Sequence, residues 1–249
     1  MLTWNGELFE YTGGPSAKGY IPPPQYVSTL LSHFDGTDGA TTYTSDIGSN
    51  VFTFKTGALI SGNSTKFGLT SLYLGSSYIT TPSTTDLKLG SGNFTLECWF
   101  NTALPTTSQM QRFAAKGDLG SLQSWCWGIG SAVGGTSRLD FAVRKLNNTV
   151  QDFYANSLNV ISGTWYHIAL VKNNGSILQY FNGSMVNISA ADHPMDGGVQ
   201  PFIIGCRESP PSSPTERVIS MNIDEFRIIK GTAVYTGSTY TIPLSPFTS

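Results

Sequence analysis

Thr164 to Ile188 reads TWYHIALVKNNGSILQYFNGSMVNI, and the reading of this stretch decides the fold. Asn174-Gly175 and Asn182-Gly183 divide it into three apolar runs: Trp165 to Lys172, Ile177 to Phe181 and Met185 to Ile188. Asn-Gly tolerates the positive φ angles of a type I′ turn, whose twist matches that of the strands it joins. Two such turns in succession predict an antiparallel meander. In the first run Tyr166, Ile168 and Leu170 share one face, and Trp165, His167, Ala169 and Val171 share the other. Both faces are largely apolar. This strand is therefore expected in the middle of a sheet, with a second sheet packed on one side.

Strand signals continue outward from the meander. They fall at Val27 to Phe34, Val51 to Lys55, Ser71 to Leu74, Tyr78 to Thr81, Phe94 to Asn101, Arg112 to Ala115 and Trp125 to Ile129. Further signals fall at Arg138 to Arg144, Gln151 to Ala155, Phe202 to Cys206 and Val218 to Ile229. Turn residues separate nearly all of them, and no stretch of helical length shows a clean 3.6-residue apolar period. So many short strands predict an all-β chain folded as a two-sheet antiparallel jelly-roll sandwich. Phe94, Leu96, Cys98 and Phe100 alternate with Thr95, Glu97 and Trp99, the pattern of a half-buried strand. Ser209 to Pro214, with three prolines, is expected as a surface loop.

Composition narrows the function. Charged residues make up 12% of the 249, about half the roughly 25% usual in soluble domains. A net charge of −2 gives no case for binding nucleic acid or an anionic membrane. No apolar run approaches the roughly 20 residues that span a bilayer, so no membrane insertion is expected. The opening MLTWNGELFEYTGG lacks the basic n-region and uninterrupted apolar core of a signal peptide. Cys98, Cys126 and Cys206 have no metal-ligand spacing and are expected as buried free thiols.

Residues 1–26 differ from the body at 27–249. Leu2 to Trp4, Asn5-Gly6 and Glu7 to Tyr11 read as a small hairpin, followed by a stiff Pro22-Pro23-Pro24 spacer. Leu2, Trp4, Leu8, Phe9 and Tyr11 are too apolar for a solvated tail and too few for a core. Two readings stand for this segment: a partly disordered terminus, or an arm that orders on a partner protein.

Several stretches taken together carry a resemblance. Leu30 to Gly36 is followed by Lys66 to Gly68, Tyr73 to Gly75 and Tyr78 to Pro82, then by Phe94 to Phe100. Trp165 to Val171 leads to Tyr180 to Gly183, and Ile223 to Ile228 precedes Lys230-Gly231 and Tyr235 to Gly237. Over roughly residues 28–247 this order resembles the laminin-G-like, concanavalin A-like domains of the lectin/glucanase superfamily. The closing stretch resembles the version found in bacteriophage virion proteins. The resemblance implies a jelly roll in a virion, made in the host cytoplasm. It would bind host-surface polysaccharide as a tail-fibre or fibre-tip module, or serve as a structural capsid decoration or connector protein.

A glycanase is the lesser alternative. Glycanases of this fold carry Glu-x-Asp-x-x-Glu or a close variant on one strand, and here no Glu is followed two places later by Asp. Asp224 and Glu225 are adjacent, so on a regular strand they point to opposite faces. Asp35 and Asp224 are the candidate metal ligands, since relatives often hold a structural Ca²⁺ with such a residue; the other reading has Asp224 bonded to backbone amides or an arginine. Sugars stack on exposed rings, which makes Trp125, Trp127, Tyr154, Trp165 and Tyr180 the carbohydrate-binding candidates, with Trp99 beside them. Core packing is the competing reading for each ring.

Overall fold

The computed structural model describes residues 2–4, 9–11, 26–103, 110–117, 119–131, 135–209, 213–215, 218 and 220–248. Among these, two large antiparallel sheets stack as a sandwich, and a 3-10 turn lies at Thr85–Leu87. No helix among the described residues is long and apolar enough to cross a membrane.

The meander forms Trp165–Asn173, Ser176–Phe181 and Ser184–Ala190. Its turns have the predicted geometry, with φ of 45° and 80° at Asn174 and Gly175 and of 46° and 79° at Asn182 and Gly183. Trp165–Asn173 pairs with Ser176–Phe181 on one side and Phe94–Thr102 on the other, so it is central. The first sheet runs Ser184–Ala190, Ser176–Phe181, Trp165–Asn173, Phe94–Thr102, Met221–Lys230, Ser71–Leu74 and Ala58–Ser61. Leu30–Ser32 also pairs with Met221–Lys230. The second sheet runs Val150–Leu158, Ser137–Arg144, Trp125–Ser131, Gln111–Lys116, Phe202–Ile204, Ile79–Thr81, Val51–Phe54 and Thr42–Thr44.

Alternation sends one face of each sheet into a shared core. Leu96, Phe100, Ile168 and Leu170 enter from the first sheet, and Trp125, Trp127, Phe141 and Phe153 from the second. Phe100 meets Phe113 across the sandwich at 4.9 Å between ring centres, and Phe113 meets Trp127 at 5.2 Å. Each such side chain stabilises the fold by roughly 1.5–3 kcal/mol relative to exposure.

Phe94–Thr102 is not half-buried as its alternation suggests; all nine residues are buried. The reason is a third layer. The segment 231–248 crosses the outer face of the first sheet, with Val234 N donating to Thr95 Oγ1 at 3.0 Å and Tyr240 N to Gly183 O at 2.8 Å. Ser209 to Pro214 is likewise not simply a loop, because Arg207–Ser209 pairs with Ser213–Thr215. Cys98, Cys126 and Cys206 are buried free thiols. At the N-terminus Leu2–Trp4 pairs with Phe9–Tyr11, as the Asn-Gly turn predicts. Leu8, the proline spacer and the side chains of Leu2, Trp4, Phe9 and Tyr11 lie outside the described residues.

Candidate functional site

On the outer face of the second sheet, four neighbouring strands bring Arg112, Gly128, Asp140 and Tyr154 into one row. The register pairs Arg112 with Gly128, Gly128 with Asp140, and Asp140 with Tyr154. The missing side chain at Gly128 makes the row possible. A Cβ there would overlap Gln111 O and come within 2.9 Å of Arg112 Cδ. Arg112 therefore lies across the strand, and its Nη1 reaches Asp140 Oδ2 at 2.5 Å with both groups buried. Gly130 likewise leaves room for Met110, whose Sδ stands 3.6 Å from Arg138 Nη2.

Arg138 lies over the ring of Tyr154, with Cζ 4.4 Å from its centre, and Tyr154 is 44% exposed. Burial holds the Asp140 carboxyl above the usual carboxylate range, against the opposing pull of Arg112. Asp140 Oδ1 and Arg138 Nε are buried without a hydrogen-bond partner among the described residues. A buried polar atom left unpaired costs about 1–3 kcal/mol. The cation–π stack of Arg138 on Tyr154 is worth about 0.5–1 kcal/mol at an exposed ring. A group that bonded to both unpaired atoms would offset the cost of burying them. The sequence reading named Tyr154 and missed its neighbours. The usable signal was local: Arg138 and Asp140 alternate with Leu139 and Phe141, and Gly128 and Gly130 alternate with Trp127 and Ile129.

The other ring candidates divide by burial. Trp125 and Trp127 are fully buried in the core, a correction to their reading as sugar platforms, because no ligand reaches their faces. The alternation around Cys126 put both on one face, and that face is the inner one. Tyr180 is also fully buried, donating to Gly237 O at 2.8 Å and packed against Tyr235 and Tyr240. Trp99 is 2% exposed, beneath Lys66 Nζ at 3.9 Å from its ring. Trp165 is half-buried at the start of its strand, paired with Asn101 and away from the Tyr154 row.

A second polar cluster lies on the outer face of the first sheet, beneath the segment 231–248. Arg227 donates to Glu97 Oε1 from Nε at 2.9 Å and from Nη2 at 2.6 Å. Tyr235 Oη donates to Glu97 Oε2 at 2.7 Å, and His167 Nε2 stands 3.3 Å from the same oxygen. Burial alone would raise the Glu97 pKa, but the His167 bond and the Arg227 charge outweigh it and hold it below the usual value. Asp224 and Glu225 share this face, contrary to the expectation for a regular strand. A bulge between Asp224 and Arg227, with Glu225 at φ 53°, sends both Ile223 and Phe226 into the core and leaves the two acids together outside. Glu225 holds His33 Nδ1 at 2.8 Å and accepts from Phe247 N at 2.8 Å. The cluster clamps the C-terminal segment through Tyr235 and Phe247 N.

The metal candidates meet donors rather than acceptors. Asp224 Oδ2 accepts from Lys66 N at 2.8 Å and Phe67 N at 3.2 Å, and its Oδ1 accepts from Glu225 N at 2.9 Å. Asp35 Oδ1 accepts from Leu69 N at 3.1 Å and Thr70 N at 3.4 Å. The two carboxylates pin one loop by its backbone N–H groups, whereas Ca²⁺ needs 6–8 oxygens about it. Among the described residues no group of three or more His, Cys, Asp or Glu can hold a metal ion. The residues present do not fit the Ca²⁺ implied by the resemblance.

Residues 74–233 match the family model described as the concanavalin A-like lectin/glucanases superfamily, of laminin-G type. No curated protein matches in sequence. Among solved structures, domain 4 of AbnA, a GH43 extracellular arabinanase from Geobacillus stearothermophilus, is similar at TM-score 0.60 and 17% identity, over 84% of this chain and 95% of that one. That domain was solved in complex with arabinotriose. The binding domain of botulinum neurotoxin DC, solved in complex with SialylT, is similar at TM-score 0.57 and 12% identity, over 83% of this chain and 49% of that one. The binding domain of Paraclostridial Mosquitocidal Protein 1 is similar at TM-score 0.54 and 14% identity, over 74% and 44%. The chain thus spans about half the length of the two toxin binding domains.

Proposed function

The chain belongs to the concanavalin A-like lectin/glucanases superfamily, and on that premise we propose that it is a non-enzymatic carbohydrate-binding module. One observation carries the reading: the half-exposed Tyr154 ring, backed by Arg138, stands beside an unpaired buried acceptor and donor. A ring offers an apolar face to the C–H face of a sugar, and the polar atoms beside it offer bonds to its hydroxyls. The arabinotriose and SialylT complexes of structurally similar domains support the same class of ligand. The acids speak against a glycanase. Glu97, Asp224 and Glu225 are buried and bonded to protein partners, and retaining glycosidases need two carboxyl groups about 5 Å apart flanking an accessible bond.

The finer reading is a surface-exposed adhesion module of a bacteriophage virion, at a tail fibre or fibre tip, contacting host-surface polysaccharide. Its support is the resemblance of the closing stretch, Ile223 to Ile228 with Lys230-Gly231 and Tyr235 to Gly237 behind it, to virion versions of the domain. The hairpin of Leu2–Trp4 and Phe9–Tyr11 would attach it to other virion proteins by strand addition. Multivalent glycan arrays of wild type and Tyr154→Ala test the binding. Retention by wild type and loss in the variant is the expected result. Absence of binding to any host-envelope polysaccharide sinks the adhesion reading and favours a structural decoration or connector role. Imaging labelled copies on particles separates the two positions, tail tip against capsid.

A further inference from the structure

The atoms beside Tyr154 also define what its ligand must carry, an argument that rests on the carbohydrate-binding reading above. Arg138 and Asp140 are two apart on Ser137–Arg144 and so share its outer face, directly beside Tyr154. Arg138 Nε can only donate, and Asp140 Oδ1, as a carboxylate oxygen, can only accept. Asp140 is 3% exposed, so its unmatched oxygen is a built feature of the sheet rather than a solvated surface group. An adjacent donor and acceptor match sugar hydroxyls, which both accept and donate. They do not match a carboxylate, which only accepts.

Charge points the same way. Arg112 is already engaged by Asp140 Oδ2. Asp152, exposed on the same outward face two residues along the strand from Tyr154, adds a second carboxylate near the ring. With Asp140 and Arg112 neutralising each other, the charges left beside the ring are one carboxylate, Asp152, and one guanidinium, Arg138, so the site offers an anionic sugar no net positive charge. We infer that this site selects neutral sugars over uronates and sialates, with Asp140 as the specificity-determining residue and Arg138 as its partner. The Arg138 guanidinium slides along the Tyr154 ring to admit a hydroxyl, which donates to Asp140 Oδ1, while a neighbouring sugar oxygen accepts from Arg138 Nε.

The test is titration calorimetry of the full chain at about 0.15 M salt. The probes are neutral glucan, galactan and arabinan oligosaccharides, set against oligogalacturonate and oligosialate. Wild type should prefer some neutral probe by about tenfold or more, the scale of one charged hydrogen bond. Tyr154→Ala should abolish binding, and Asp140→Asn should weaken the neutral probe by about tenfold and narrow the preference. Asp140→Asn also disturbs Arg112, so its melting curve is checked. If it does not fold, Arg138→Gln carries the readout, with the same loss expected. Equal or tighter binding of an anionic probe, lost in Tyr154→Ala, overturns the selectivity and leaves the carbohydrate reading standing. So does unchanged neutral affinity in a folded Asp140→Asn or Arg138→Gln. No binding of either class overturns both.

Discussion

Arg227→Met removes the guanidinium that serves Glu97 beneath the C-terminal segment. Two bonds to Glu97 Oε1, at 2.9 and 2.6 Å, are lost, along with the stack of Arg227 over Phe247 at 4.0 Å. Glu97 is fully buried and stays charged. Breaking a buried pair from one side costs about 3–5 kcal/mol, because the remaining charge is uncompensated. Glu97 keeps Tyr235 at 2.7 Å and His167 at 3.3 Å, which places the expected cost at the low end, about 3 kcal/mol. At about 2–4 °C per kcal/mol for a chain of this size, Tm should fall by roughly 6–12 °C. Urea unfolding followed by tryptophan fluorescence measures the free energy directly, with Trp99 packed against His167 as a local reporter. Glu97→Gln in the same background leaves no buried charge to strand, so the double variant should recover at least about 1.5 kcal/mol relative to the summed single losses. Single losses below about 1 kcal/mol that simply add would show that the cluster is not a charge clamp.

Three further outcomes are expected. The pKa of His33 is raised by its bond to Glu225, and that of Asp224 is raised by burial to about 7 from 3.8. Both contributions are therefore fully present in acid, below 6.5 and 3.8 respectively, and are lost as pH rises through the folded values. Tm should decline between pH 5 and 8 (roughly) and less so in His33→Gln; a rising Tm there would contradict the assignment. Glu97, whose pKa is lowered, acts in the opposite sense, and its contribution disappears as acid carries the pH below its usual 4.5. Excess EDTA should leave the melting curve unchanged, since Asp35 and Asp224 hold backbone N–H groups; a clear drop would establish a structural cation. Gly128→Ala should cost about 2 kcal/mol or more, because its Cβ overlaps Gln111 O and crowds Arg112 off Asp140; wild-type stability and glycan binding would show that the row tolerates a side chain.

Elements set by short-range pattern were legible in the sequence. The Asn174-Gly175 and Asn182-Gly183 turns, the alternation of Tyr166, Ile168 and Leu170 and the paired N-terminal hairpin all depend on residues a few positions apart. Thr42–Thr44 and Ala58–Ser61 were missed because three- and four-residue strands carry too little periodicity to stand out. The family was legible for the same reason as the meander, since it is carried by runs of contiguous residues between Leu74 and Ala233.

The site was decided only in three dimensions. Alternation placed Trp125 and Trp127 on one face of a strand, but only the stacking of the two sheets made that face the core and left Tyr154 outside. Arg112 meets Asp140 because Gly128, on the strand between them, has no side chain, a fact about three strands at once. Glu97 reads as a solvated position on an amphipathic strand, and it is buried because a segment more than a hundred residues later folds over it. Asp224 and Glu225 stand together because one bulge breaks the two-residue period. Local sequence sets which faces a strand has, and the long-range packing of layers decides which of them water, or a sugar, can reach.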